Sequence, residues 1–391
     1  MFLKKSKLIT ICLLIVFITQ SEAKNIGPLI WNLGHIENLR VDPNLSTVRK
    51  QIISNASRYA KMKPVSVMDK KKAFNPDKHY YQSLAIYFWP DSLNKNGRYK
   101  QRDGIYNPEY KDYDYVNLCS LLYRLEFLSV AYYISGDDEY YDAFVKQLDT
   151  WFIDKDTYML PNFEYSQVTP GSNNNQGRSE GLIDGYCFNG VLDAIRVVSF
   201  RKRLPSYTRR GLKKWFLSFE DWLTTSSKGL RAYKFVGNHA VNYDLLRYNI
   251  AMFVGNEKIC RQIFEEFANL RLLDEIDSIG RQPRELNRTR SYFYQIYNLT
   301  HIIDICFVMN RNGQYLYKEN AELINKVGYY LLSYKGKQEK YPYKELGPWN
   351  ELFKLLIIQL NRINRLAGRK LFNVDEQRIT SGSNLESYLN S

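Results

Sequence analysis

The chain has 391 residues, of which 45% are hydrophobic, 25% charged and 15% aromatic; this balance excludes a disordered or collagen-like protein and leaves ample apolar material for a large core. Lys and Arg outnumber Asp and Glu by 55 to 41, a formal charge of +14. That excess predicts a polyanionic partner: nucleic acid, acidic lipid or acidic polysaccharide.

At the start of the chain, Lys4, Lys5 and Lys7 precede an apolar run from Leu8 to Ile18 and then the small-x-small segment Ser21-Glu22-Ala23. The pattern predicts a secretory signal peptide over residues 1–23. The run is shorter than the roughly 20 apolar residues of a membrane span, so the expectation is a periplasmic or extracellular protein with no membrane insertion. An exported basic protein meets an anionic polysaccharide far more readily than DNA, and no nucleic-acid partner is expected. The remainder reads as a single domain over 24–379 followed by a flexible polar tail over 380–391. Cys119, Cys187, Cys260 and Cys306 are widely spaced inside apolar segments with no C-x-x-C pair. They read as small buried hydrophobes.

From about Val116 the apolar spacing is helical. Leu118, Leu121, Leu122, Leu125, Leu128 and Tyr132 form one stripe; Tyr141, Phe144, Leu148, Trp151 and Phe152 form the next, after a break at Gly136-Asp137. Further helices are predicted near 181–201, 207–225, 240–253, 257–271, 291–310, 317–333 and 347–366. Period-two alternation is scarce, which disfavours a β-helix or a lectin. Successive helical hairpins of similar length predict an all-α fold of stacked helix pairs, a solenoid or a closed α/α toroid, although no sequence repeat is visible. Polar, aromatic stretches at 74–115, 157–180 and 228–240 interrupt the rhythm, and loops of that length in a compact domain usually carry function.

Four segments hold residues suited to chemistry. Tyr80-Tyr81-Gln82-Ser83 through Trp89-Pro90-Asp91 supplies aromatics able to stack on sugars, with Tyr81 and Trp89 as candidates. Pro161-Asn162-Phe163-Glu164-Tyr165-Ser166-Gln167 leads into an Asn-rich stretch and Arg178; Tyr165, Gln167, Asn174 and Arg178 suit sugar hydroxyls and carboxylates. Gly237-Asn238-His239 precedes Tyr243-Asp244 at a loop-to-helix junction, where a histidine can face a cleft. Finally, Glu285-Leu286-Asn287-Arg288-Thr289-Arg290-Ser291-Tyr292-Phe293-Tyr294 enters a helix, and the spacing of Arg290 and Tyr294 puts them on one face.

In this order the segments resemble the alginate lyase family of polysaccharide lyases. The resemblance runs from about 75 to 300 through W-P-D at Trp89, R-x-D-G at Arg102-Asp103-Gly104, N-P-E at Asn107-Pro108-Glu109, T-W-F at Thr150, P-N-x-x-Y-x-Q, N-H-x-x-x-Y-D and E-L-x-R-T-R-S-x-x-Y. Gly237 replaces the first of two asparagines often seen there. The resemblance implies an α/α toroid, an incomplete barrel of helical hairpins, that cleaves a polyuronate by β-elimination with no metal or organic cofactor. It assigns Tyr294, His239, Asn238 and Arg288 to catalysis, and Tyr81, Trp89, Tyr165, Gln167, Asn174, Arg178, Tyr243 and Arg290 to substrate binding. A tyrosine acting as base requires neighbouring cations to lower its pKa from about 10. Two other readings compete: a non-catalytic glycan-binding protein, and a toroid glycoside hydrolase using Glu180 and Asp184.

Overall fold

The computed structural model describes residues 27–91, 93, 94, 97–375, 381, 382 and 385–390; the predicted signal peptide lies outside them. Two short helices open this region, α1 (Leu33–Val41) and α2 (Ser46–Lys61). The main series follows as α3 (Asp114–Ser135), α4 (Asp138–Phe152), α5 (Cys187–Arg201), α6 (Ser206–Thr225), α7 (Ser227–Tyr233), α8 (Asn238–Val254) and α9 (Glu257–Phe267). It ends with α10 (Leu273–Glu275), α11 (Pro283–Leu286), α12 (Ser291–Arg311), α13 (Leu316–Leu332), α14 (Trp349–Ala367) and α15 (Leu385–Asn390).

The helices fall into two layers, and burial explains which goes where. Along α8, the run from Ala240 to Ala251 is buried without interruption, and α12 buries residues on every side. A helix that is covered all round belongs inside. The inner layer is α3, α5, α8 and α12, each packed on the next. By contrast α9 buries only Cys260, Ile263 and Phe267, a stripe at three and four spacing, and α6 buries the stripe Leu212, Trp215, Phe216, Phe219 and Leu223. Amphipathic helices of this kind form the outer layer. The result is an α/α toroid, the arrangement that the family resemblance implies and one of the two that the periodicity leaves open.

Turn chemistry sets the hairpins. Gly136 ends α3 in the left-handed region at φ 73°, where a side chain would be strained, and Asp137 then caps α4 by accepting the Glu139 N–H at 2.9 Å. Between α4 and α6, Phe152, Phe163, Phe188, Trp215 and Phe219 form one aromatic cluster, with Phe163 and Phe188 stacked at 5.9 Å and Phe188 edge-on to Trp215 at 5.4 Å. Such pairs add to the burial energy.

The two longest interruptions meet each other. β1 (Gln82–Leu84) runs parallel to β4 (Tyr165–Val168), and β2 (Phe88–Trp89) pairs antiparallel with β3 (Lys100–Gln101). Each is too short for sequence alternation to show. The third interruption, 228–240, differs from its expected loop: Ser226 caps α7 through the Gly229 N–H, and this helix buries only Gly229 and Ala232, so no apolar stripe marks it.

The tail also differs from its expected looseness. Over 385–390 it forms α15, which buries Leu385, Tyr388 and Leu389. The Leu389 carbonyl accepts the Asn32 N–H at 2.7 Å, and the Tyr388 ring stacks on His35 at 4.3 Å. Hydrophobic anchoring against α1 outweighs the polar composition of the segment. Among the described residues, no helix is long and apolar enough to cross a membrane.

Candidate active site

The inner helices α8 and α12 pack on each other, and the 74–115 loop reaches the entry of α12 through Tyr87 and Asp103. Tyr294, one turn into α12, is almost fully buried, and its phenol oxygen lies 2.7 Å from that of Tyr87 on the 74–115 loop. The Arg288 guanidinium stacks over the Tyr294 ring, 3.6 Å from its centre. Arg288 precedes α12, so it reaches the tyrosine by a turn of the loop and not by helical spacing.

Arg288 is itself held. Its Nη2 donates to Asp103 Oδ1 at 2.8 Å, its Nε to the same oxygen at 3.3 Å, while Thr289 N and Oγ1 donate to Oδ2 at 2.9 and 2.8 Å. Burial raises the Asp103 pKa, but these donors outweigh it and hold the carboxyl below its ordinary range. The carboxylate therefore stays charged and fixes the cation.

His239 is half-buried at the start of α8. Burial pulls its pKa down to about 4, with Arg288, Arg178 and His301 adding to the fall and Glu180 opposing it. The imidazole is therefore neutral at ordinary pH. The same interactions put Arg178, Glu180 and Arg288 in one electrostatic neighbourhood with His239. Asn238 is buried, and Glu285 accepts both its backbone N–H at 2.8 Å and its side-chain Nδ2 at 2.9 Å. Beneath them, His301 lies between the rings of Tyr186 and Tyr297, and burial drops its pKa to about 3.

Tyr294 departs from its expected titration. Burial raises its pKa above the usual value, and Arg288 and the Tyr87 hydrogen bond offset only part of that rise. In Tyr87 burial and the Tyr294 oxygen both push the pKa up strongly, so Tyr294 is the member of the pair that ionises first.

Several expected contact residues are placed otherwise. Tyr81 and Tyr243 are buried, with hydroxyls donating to Asp184 at 2.9 Å and to the Leu223 carbonyl at 2.8 Å; a sugar reaches neither. Arg290 leans over Phe293, 4.4 Å from the ring centre, and not over Tyr294. Gln167 is tied to Asp184 through Nε2 at 2.9 Å, and Tyr165 accepts a hydrogen bond from Asn75 at 2.6 Å. Arg178 covers the Phe88 ring at 4.8 Å, Trp89 donates its indole N–H to the Ile105 carbonyl, and Asn174 stands exposed in a left-handed turn. Asp184 accepts from Tyr81, Ser83 and Gln167 together. A carboxylate so saturated is a structural anchor for β1 and β4, which removes one half of the glycoside hydrolase pair.

Tyr87, Asp103 and Glu285 were not singled out from the sequence. Asp103 and Glu285 lie inside recognisable motifs, R-x-D-G and E-L-x-R, yet nothing in one sequence says what they touch.

A family model described as alginate lyase matches residues 66–341. The chain belongs to the alginate lyase family. It is thereby a polysaccharide lyase, and the helical toroid is the architecture of its relatives of known structure. An alginate lyase from Bacteroides ovatus is 30% identical, with a TM-score of 0.85 over 93% of this chain and 99% of that one. A variant of alginate lyase A1-III complexed with a tetrasaccharide is 15% identical, with a TM-score of 0.51 over 82% of this chain and 81% of that one, a likeness of fold alone. No curated protein matches the sequence significantly.

Proposed function

We propose that the protein is an exported lyase that cleaves mannuronate-rich alginate or glucuronan by β-elimination, with Tyr294 as both base and acid. The observation that carries this reading is the stack of Arg288 on Tyr294 beside His239 and Asn238. Abstracting the C5 proton, α to a uronate carboxylate, moves charge onto that carboxylate, so cations and donors must meet it there. With Nε and Nη2 on Asp103, Arg288 keeps Nη1 for the carboxylate. Asn238 and neutral His239 add hydrogen-bond donors.

The Tyr294 oxygen takes H5, the C4–O4 bond breaks, a C4=C5 double bond forms, and the same hydroxyl returns the proton to O4. In mannuronate and glucuronate H5 and O4 lie on the same side of the ring, which suits a single group acting twice. Tyr87 stabilises the phenolate by donating to it. Arg178, Trp89, Arg290 and exposed Asn174 are retained as substrate contacts. The basic charge of the chain suits a polyanionic substrate.

The test is ultraviolet absorbance of the conjugated product on polymannuronate, glucuronan and polyguluronate. Unsaturated ends from the first two are expected. Saturated ends would mean hydrolysis, and binding without cleavage would mean a glycan-binding protein.

A further inference from the structure

Two buried carboxylates flank the turn that starts α8. Glu275 accepts the Gly237 N–H and, through its other oxygen, an Asn298 Nδ2 hydrogen at 3.1 Å. Glu285 accepts the Asn238 N–H at 2.8 Å, and Asn238 Nδ2 lies 2.9 Å from both of its oxygens. Buried carboxylates are costly unless such donors satisfy them. Burial raises both pKa values, Glu275 to about 7, and the backbone and amide donors work against the rise.

The geometry at Asn238 is specific. The two N–H bonds of an amide diverge far more widely than the two oxygens of one carboxylate do when seen from Nδ2, so both oxygens share one hydrogen. The second hydrogen is left over. The carboxylate also decides which way round the amide sits, because Oδ1 facing Glu285 would be repelled. Gly237 makes the approach possible: a Cβ there would lie 2.7 Å from Glu285 Oε1. Arg288 follows three residues after Glu285 and donates its backbone N–H to the Glu285 carbonyl at 3.4 Å.

We propose that Glu285 is a positioning residue of the carboxylate subsite: it takes one hydrogen of the Asn238 amide, turns the other toward the substrate uronate, and fixes the spacing between Asn238 and Arg288. The proposal rests on the lyase reading above. Its specificity consequence is that the subsite presents a donor at Asn238 and never an acceptor, which suits an ionised carboxylate and disfavours a neutral sugar bearing a hydroxymethyl group.

The test is a double-mutant cycle in the full chain on polymannuronate. Glu285→Gln keeps the shape but offers an amide that lets Asn238 turn over. A fall in kcat of about 10²-fold is expected for a misplaced contact group, with KM changed less than about threefold. Asn238→Ala should fall similarly, and the double variant no further than Asn238→Ala alone, since Glu285 acts through Asn238. Glu285→Asp, which keeps the charge, should regain part of the loss. Additive losses, or no recovery with Asp, overturn the proposal. If wild-type protein yields no unsaturated product from any polyuronate, the lyase reading fails separately, and the Asn238 side-chain amide protons in selectively labelled protein still report the contact. One proton should lie downfield in wild type and return toward a free amide in Glu285→Gln. Identical shifts in both proteins would overturn it.

Discussion

Tyr294 and His239 are rival candidates for the base, and their surroundings give them opposite pH behaviour. Burial holds the Tyr294 phenol above its ordinary pKa despite Arg288 and Tyr87, whereas burial and the nearby cations leave His239 neutral above about 4. If Tyr294 is the base, the reactive phenolate is scarce at pH 7, and kcat/KM should climb by up to about tenfold per pH unit between 6 and 9. If His239 were the base, kcat/KM would be flat from about pH 5 upward. A flat profile in steady-state kinetics would remove Tyr294 from the role. Tyr294→Phe should lower turnover by about 10²-fold or more. Tyr87→Phe removes the donor to the phenolate without touching the base itself, so it should cost less and move the rise in kcat/KM to higher pH. Tyr292 is the control: it points into the core, and its hydroxyl donates to the Leu331 carbonyl at 2.7 Å. Tyr292→Phe should cost about 1 kcal/mol of stability from the lost buried hydrogen bond and leave kcat nearly unchanged.

The entry to α8 shows how an element, and not a residue alone, builds the site. Gly237 adopts φ 73° and ψ −161°, a region open in practice only to glycine, and it leaves no room for a side chain beside Glu285. Gly237→Ala should therefore destabilise the fold by about 1–3 kcal/mol from backbone strain alone, read as a lower thermal midpoint, and lower turnover by displacing Asn238 and His239. Retained stability with full activity would show that the turn is not constrained as the contacts imply. An asparagine is often seen where Gly237 stands, yet the conformation of the glycine is what lets Glu285 approach. The long helices from α3 to α14 were largely legible because their apolar residues recur at three and four spacing and the turns carry glycine, asparagine or aspartate. Among the elements missed, several left too little pattern to read. β1 to β4 are two to four residues long, and α7 buries two small residues. The start of the described chain is anchored by something no local pattern reveals: the Asp193 carboxylate accepts the backbone N–H groups of Leu29, Ile30 and Trp31, each at 2.8 Å, from more than 160 residues away. The site was legible as a set of motifs, and Tyr294, Arg288, His239 and Asn238 do converge. Tyr81 and Tyr243 misled because the sequence cannot distinguish an aromatic that stacks on a sugar from one whose hydroxyl is tied off inside the core.

At the scale of the molecule, charge and stereochemistry decide which polymer fits. The excess of 55 basic over 41 acidic residues attracts polyuronates generally, and this attraction is screened as the Debye length falls from about 10 Å at 0.1 M salt to about 3 Å at 1 M. KM should therefore rise with salt on every polymer that binds, while kcat, set at the buried Tyr294, should change much less. Charge cannot separate mannuronate from guluronate, because both carry one carboxylate per residue. Geometry can. One tyrosine beneath the sugar reaches H5 and O4 together only when they lie on the same face, as in mannuronate and glucuronate. In guluronate they lie on opposite faces, and a second group must act. The protein offers Tyr294 with Tyr87 on one side and neutral His239 as the remaining base. Polymannuronate and glucuronan should thus be cleaved faster than polyguluronate at equal salt, measured as initial rates of ultraviolet-absorbing product. A clear preference for polyguluronate would mean that His239 takes the proton and Tyr294 only delivers one to O4, and Tyr294→Phe would then slow leaving-group departure while the dependence on His239 became absolute.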